Sequence, residues 1–156
     1  MRISFDLDDT LICYGDPARE PRLPWFLRLF LPDEPLRKGA RHLAVTLTSR
    51  GHELWIYTTS GRNPRAVRLW LRFHGIYVKR VINGTEHSKC FGQGSSPSKR
   101  PKAFKIDLHI DDSPGVAIEG QKYGFRVCVV EPSASDWVEK VIQNVTAIEV
   151  AAKARS

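Results

Sequence analysis

The sequence is short of cysteine and of long apolar runs, and each shortage excludes a class of protein. Its three cysteines, Cys13, Cys90 and Cys128, are too few and too scattered for the disulfide framework of a small secreted domain. No apolar stretch approaches the roughly 20 residues that cross a bilayer. The first residues, MRISFDLDD, carry acids where a secretory signal would be apolar. We therefore expect a cytoplasmic protein with no membrane partner.

Internal repeats and long linkers are also lacking. The chain has 156 residues, of which 42% are hydrophobic and 26% charged, as in ordinary globular proteins. This length falls within the usual range of one domain. We therefore expect residues 1–156 to form a single domain.

The formal net charge of +7 raises the question of a polyanionic partner. The basic residues are dispersed, however, and the densest cluster comprises Lys99, Arg100, Lys102 and Lys105. Dispersed charge more often solvates a surface than binds a polymer. A nucleic-acid partner is compatible with the sequence but is not favoured.

Strand and helix patterns alternate along the chain. Short apolar runs predict strands at 2–6, 54–57, 77–82, 106–112 and 125–130. Apolar periodicity predicts helices at 36–47, 63–75 and 116–124 and from about 133 onward, with Asn63 as an N-cap and Pro64 at the first helical position. This alternation predicts an α/β fold, a Rossmann-like three-layer sandwich with a mainly parallel central sheet.

Two segments depart from the alternation. Residues 12–35 carry Pro17, Pro21, Pro24, Pro32 and Pro35 around an apolar cluster that runs from Trp25 to Leu31. We expect this cluster to pack on the protein's own core, with an oligomer contact through residues 24–32 as the alternative. Residues 84–101 are rich in Gly, Ser and Lys, and they are predicted to form a long loop.

Carboxylates gather at the ends of two predicted strands. Asp6, Asp8 and Asp9 follow the first strand, and Asp111 with Asp112 ends the strand at 106–112. The carboxyl ends of parallel strands meet at one edge, so these acids form an oxygen-rich site suited to Mg²⁺. A solvated acidic turn that caps a helix is the alternative for the first cluster.

Four motifs resemble those of the haloacid dehalogenase superfamily. DLDDTL at 6–11 looks like the first motif, LWIYTTS at 54–60 like the second, and IDLHIDDSPG at 106–115 like the fourth. The third motif is a lysine before the last of these strands. Lys102 and Lys99 both fit its spacing, and Lys102 is preferred because Lys99 lies deeper in the predicted loop.

The resemblance implies a phosphohydrolase with Asp6 as the nucleophile that becomes an aspartyl phosphate. Asp8 would protonate the leaving group and then activate water. Thr58 would contact the phosphoryl oxygen with Thr59 beside it, and Lys102 would neutralise the transferring group.

The resemblance also implies how magnesium is held. The ligands would be Asp6, the backbone carbonyl of Asp8, and Asp111 or Asp112. His87, Cys90 and His109 lack the paired spacing of zinc ligands, and His109 is expected to be a hydrogen-bonded core residue.

Too few residues separate the first and second motifs for a cap domain. The resemblance is therefore to minimal-cap members of the superfamily. Members with open sites tend to take larger phosphorylated partners, such as protein tails or nucleic-acid ends, or to close the site by oligomerising. The alternatives are a nucleic-acid-end or phosphoprotein phosphatase, a binding module of the same fold, and a non-catalytic binder of phosphorylated ligands.

Overall fold

A five-stranded parallel sheet organises the computed structural model, which describes residues 1–15, 18–94 and 96–154. The strands are β1 (Arg2–Phe5), β2 (Glu53–Tyr57), β3 (Arg80–Ile82), β4 (Leu108–Asp111) and β5 (Val127–Val129). Their order is β3-β2-β1-β4-β5, and every neighbouring pair is parallel. The predicted fold class is confirmed. Pro17, one of the five prolines of the 12–35 segment, lies outside the described residues.

Six α-helices connect or flank the described strands. They are α1 (Trp25–Arg28), α2 (Ala40–Ser49), α3 (Pro64–Phe73), α4 (Gly84–Phe91), α5 (Pro114–Tyr123) and α6 (Trp137–Lys153). The predicted start of α3 is confirmed, because Asn63 accepts hydrogen bonds from the backbone amides of Arg65 and Ala66. Among the described residues, no helix combines the length and the apolarity needed to cross a bilayer.

The segment 84–101 is not the uninterrupted loop that its composition predicted. It begins with α4, whose N-cap Asn83 accepts a hydrogen bond of 2.9 Å from the Glu86 amide. A short 3-10 helix, Pro101–Phe104, follows. The prediction failed because Gly84 and Ser88 lie within a helix that has Asn83 as its N-cap and buries His87.

Apolar side chains cover both faces of the sheet. The larger cluster joins α2, α3 and α6 to one face through residues such as Leu43, Trp70 and Val141. On the opposite face, Trp55 and Tyr57 pack with Ile82, Ile106 and the partly buried Phe104. Burial on both faces is what a parallel sheet requires, and it produces the three layers.

The apolar cluster of the 12–35 segment does not pack on the core as expected. Trp25 is 70% exposed and Phe30 is 85% exposed, while Leu31 is buried. The physical reason is the length of α1, which makes a single turn between Pro24 and Pro32. An oligomer contact through residues 24–32 remains a prediction.

Arg37 joins the loop that follows β1 to the connection between β5 and α6. Its side chain is 1% exposed. Nη2 donates to the carbonyls of Glu131 and Ala134 over 2.6 and 2.9 Å, and Nη1 donates to the carbonyl of Thr10 over 3.3 Å. The guanidinium also lies 4.5 Å from the centre of the Trp137 ring. A buried cation with these partners fixes the loop that carries the first acidic cluster.

We predict that Arg37→Met lowers the free energy of unfolding by about 3 kcal/mol, because it leaves buried carbonyls without donors. Arg68→Met, at an exposed position of α3, should change it by less than about 0.5 kcal/mol. Urea denaturation of both variants measures the difference. Equal midpoints would show that Arg37 does not anchor the loop.

Candidate active site

Strand register brings the first, second and fourth motifs to one edge of the sheet. Phe5 of β1 pairs with Ile56 on one side and with Ile110 on the other. The next residues along these strands, Asp6 and Asp111, therefore lie at the same level on neighbouring strands. Thr58 follows β2 at the same edge, where its amide donates to the carbonyl of Ile82 over 2.9 Å.

Asp6 is a buried carboxylate in an acidic environment. It is 7% exposed, and its amide donates to the carbonyl of Ile110 over 2.9 Å. Burial raises the pKa of Asp6 to about 6, with Asp111 and Asp112 adding to the rise and Lys99 opposing it. The positive charge of Lys99 therefore does not cancel the effect of burial on the pKa of Asp6.

The Lys99 ammonium lies between two carboxylates. Nζ donates to Oδ1 of Asp6 and, over 2.7 Å, to Oδ2 of Asp111, and the Lys99 residue is 3% exposed. A lysine is seldom so buried unless it is paired. This arrangement lets one charge orient two acids from different strands.

Both neighbours of Lys99 are anchored. The amide and hydroxyl of Ser98 donate to the Glu119 carboxylate over distances between 2.6 and 3.0 Å. The amide of Arg100 donates to the Tyr57 hydroxyl over 2.9 Å. These contacts fix a segment whose composition predicted a mobile loop.

The structure brings Lys99, rather than the predicted Lys102, to Asp6 and Asp111. Lys102 is exposed in the 3-10 helix and lines a groove with Asp107 and Arg126. Asp107 and Arg126 precede β4 and β5, so this groove lies at the amino edge of the sheet, away from Asp6. Both lysines fit the motif spacing, and the anchors that select Lys99 come from residues distant in sequence.

Asp111 already has donors on both carboxylate oxygens. Oδ2 accepts from Lys99 and, over 2.9 Å, from His109 Nε2, while Oδ1 accepts from the Ser113 amide over 2.9 Å. Burial acts to raise the pKa of Asp111, but the hydrogen bond from His109 and the charge of Lys99 outweigh it and hold that pKa well below its usual range.

His109 is a buried support for Asp111. Burial, together with the charge of Lys99, lowers its pKa to about 4, so the ring is neutral near pH 7. With Nε2 donating to Asp111, Nδ1 accepts from the Ser4 hydroxyl at 2.8 Å. The alternation of β4 indicated a core histidine, but nothing in the sequence indicated that it would bind the acid two positions later.

Asp112 has a different environment from Asp111. It is partly exposed, and its Oδ1 accepts from the Thr10 hydroxyl over 3.2 Å. Burial and the neighbouring Asp111 raise the pKa of Asp112. Asp6 and Asp111 thus share one buried ammonium, and Asp112 adds a third carboxylate nearby. This excess of negative charge suits an additional cation.

Thr58 and Thr59 follow β2 at the same edge of the sheet as the acids. Thr58 is 1% exposed, and its Oγ1 accepts from the Ser60 amide over 3.2 Å. Thr59 is exposed and lines a cleft of about 910 Å³. Gly84 lies so close to this loop that a side chain would not fit. A Cβ at that position would lie 2.2 Å from the Thr59 carbonyl oxygen.

Asp8 is held by a residue that the sequence analysis missed. Nη1 of Arg62 donates to Asp8 Oδ2 over 2.7 Å, and Nη2 donates to the Tyr14 hydroxyl over 2.7 Å. Arg62 also pairs with Glu34 at 3.2 Å. The only sequence signal was an arginine four residues after Thr58, which does not by itself predict a contact with Asp8. Asp9 is exposed, with a φ of 54°.

Comparison of sequences identifies no relative. No protein-family model matches the chain, and no curated protein matches it. The motif resemblance therefore rests on the residues of this chain alone.

Comparison of structures identifies chains of similar fold. One is an uncharacterized protein from Listeria monocytogenes serotype 4b, with a TM-score of 0.50 and 15% identity over 81% of this chain and 75% of that one. Another is the HAD domain of the effector protein Lem4 from Legionella pneumophila, an inactive mutant. It has a TM-score of 0.53 and 12% identity over 99% of this chain and 97% of that one. At these identities the likeness concerns the fold alone, and that fold is HAD-like.

Proposed function

We propose that this protein is a Mg²⁺-dependent phosphomonoesterase that acts through an aspartyl phosphate on Asp6. The observation that carries the proposal is the buried Asp6 carboxylate, which Lys99 contacts beside two further acids at the carboxyl edge of a HAD-like sheet. A carboxylate becomes a competent nucleophile toward a phosphoryl group when nearby cations offset the charge of both.

Hydrolysis then proceeds in two displacements. In the first, an Asp6 oxygen bonds to phosphorus while the bond to the leaving oxygen breaks, and Asp8 gives that oxygen a proton. In the second, water bonds to phosphorus as the bond to Asp6 breaks, and Asp8 takes the proton from water. Lys99 and the Thr58 hydroxyl stabilise the phosphoryl oxygens during both steps.

Magnesium would be held by Asp6, Asp112 and the backbone carbonyl of Asp8. It would neutralise negative charge on the phosphoryl group. Within the described residues, no three His, Cys, Asp or Glu side chains form a metal-binding group. Magnesium does not need such a cage, since it commonly binds one or two carboxylates together with water and phosphate. Asp111 is occupied by protein donors, so we assign it to positioning Lys99.

The site favours the minimal-cap form of the enzyme. In the described part of the 12–35 segment, the helical structure is the single turn of α1, which is too small to form a cap domain. A site without a cap domain accepts phosphorylated groups on small or large molecules. A nucleic-acid end or a phosphoprotein therefore remains an alternative substrate, and a substrate screen across these classes would distinguish them.

Hydrolysis of 4-nitrophenyl phosphate tests the proposed function. We expect turnover with Mg²⁺, its loss in excess chelator and its recovery when Mg²⁺ is restored. Asp6→Asn should abolish turnover, because an amide cannot form the phosphoenzyme. Asp33→Asn, at an exposed carboxylate, is the matched control and should leave the rate unchanged.

Two results would contradict the proposal. Full activity of Asp6→Asn would exclude this nucleophile. Binding of phosphorylated ligands without hydrolysis of any phosphomonoester by the unmodified protein would instead establish a non-catalytic binder.

Lysine substitutions test the electrostatic assignment. Lys99→Met should lower the single-turnover rate by roughly a hundredfold or more, the effect of losing one preorganised donor. Lys102→Met should have little effect, because Lys102 lies in the groove at the other edge of the sheet. Melting temperatures of both variants separate unfolding from lost chemistry. The reverse ranking of rates in folded variants would overturn the assignment.

A further inference from the structure

Asp6 and Asp8 are assigned to the two displacements, and Asp111 to positioning Lys99. Of these three carboxylates, Asp8 is the most exposed. Its side chain is 40% exposed, compared with 10% for Asp6 and 3% for Asp111. An exposed side chain exchanges among staggered conformers. A group that gives a proton to a leaving oxygen must instead stay within hydrogen-bond reach of it. Asp8 therefore needs a partner that fixes its carboxylate.

Arg62 is that partner. Its Nη1 donates to Asp8 Oδ2 over 2.7 Å, and its Nε and Nη2 both donate to Glu34 Oε1 over 3.2 Å. The planar guanidinium thus bridges two carboxylates in a fixed geometry, which a flexible lysine would not reproduce. Because Oδ2 is held by Arg62, Oδ1 is the oxygen that can exchange a proton with substrate.

Tyr14 completes the network. Its hydroxyl accepts from Arg62 Nη2 over 2.7 Å and donates to Glu34 Oε2 over 2.9 Å. The same oxygen lies 3.5 Å from Asp8 Oδ1, so the stronger contact is with Glu34. Burial and the hydrogen bond to Glu34 raise the pKa of Tyr14 to about 12, which keeps the phenol protonated near neutral pH.

Three segments of the chain anchor the network. The carbonyl of Arg62 accepts from Asn83 Nδ2 over 3.0 Å, which ties the loop after β2 to the start of α4. The residue after Glu34, Pro35, accepts a hydrogen bond of 3.2 Å from the amide of Cys13. Arg62 therefore links the loop that follows β1 and the 12–35 segment to the end of β2.

We propose that Arg62 is a positioning residue for Asp8, and that Glu34 and Tyr14 hold Arg62 in place. The proposal rests on the phosphatase function proposed above. In the first displacement Asp8 Oδ1 gives its proton to the leaving oxygen, and Arg62 stabilises the carboxylate that remains. In the second, the same carboxylate is already oriented to take the proton from water.

Leaving-group dependence distinguishes this role from a structural one. The 4-nitrophenolate of 4-nitrophenyl phosphate leaves without a proton, whereas the phenolate of phenyl phosphate is a poorer leaving group that benefits from one. The quantity to measure is kcat/KM, which covers the steps up to the first displacement. A loss of kcat/KM that is confined to phenyl phosphate therefore reports on proton donation by Asp8.

We expect Arg62→Ala to lower kcat/KM for phenyl phosphate by roughly tenfold or more, the lower range of general-acid effects. For 4-nitrophenyl phosphate the loss should be about twofold or less. Asp8→Asn should show the same selectivity more strongly. Arg62→Lys and Glu34→Gln should be intermediate, and Arg65→Ala, an exposed arginine at the start of α3, should match the unmodified protein.

The outcomes separate this proposal from the one it rests on. Equal loss on both substrates, or loss on neither, overturns the positioning role while leaving the phosphatase intact. If the unmodified protein hydrolyses no phosphomonoester with Mg²⁺, the proposed function fails first. Circular dichroism checks folding, and if Arg62→Ala does not fold, Arg62→Lys and Glu34→Gln decide the question.

Discussion

The contact of one buried ammonium with two carboxylates is the interaction on which the site depends. Lys99 donates to Asp6 at the end of β1 and to Asp111 at the end of β4. Removing a buried charge from water is costly unless the pairing geometry is good, and breaking such a pair leaves charges uncompensated. Lys99 therefore links the position of its own segment to the charges of both carboxylates.

The supports around Lys99 explain why this cost is tolerated. Asp111 is fixed by His109 and the Ser113 amide, and the segment of Lys99 is fixed on each side by Glu119 and Tyr57. A preorganised group needs no rearrangement when charge moves during a reaction, which is what an electrostatic catalyst requires. Arg62 plays a corresponding part for Asp8 on the more exposed side of the site.

The sequence predicted the fold well because its signals were local. Apolar runs that end in Asp6, Thr58 and Asp111 became the three central strands, and Asn63 with Pro64 began α3 as expected. Parallel pairing then places the polar residues that follow at one edge. This much of the site follows from strand ends and requires no knowledge of packing.

The remaining features depend on contacts between distant residues. Lys99 and Lys102 are indistinguishable by spacing. The neighbours of Lys99 are held by hydrogen bonds to Glu119 and Tyr57, which lie far away in the sequence. Arg62 reaches Asp8 across 54 positions of sequence, which no periodicity encodes. The exposure of Trp25 follows from a helix too short to present a face to the core, although its composition resembles that of a core segment.

Trapping the phosphoenzyme tests the central claim most directly. Asp8→Asn should form the phosphoenzyme from 4-nitrophenyl phosphate but hydrolyse it slowly, because the base for the second displacement is missing. Acid quenching and peptide mass spectrometry should then find the phosphoryl group on Asp6, with far less of it when Lys99→Met is added. Phosphorylation of another residue, or equal phosphorylation with and without Lys99, would contradict the account.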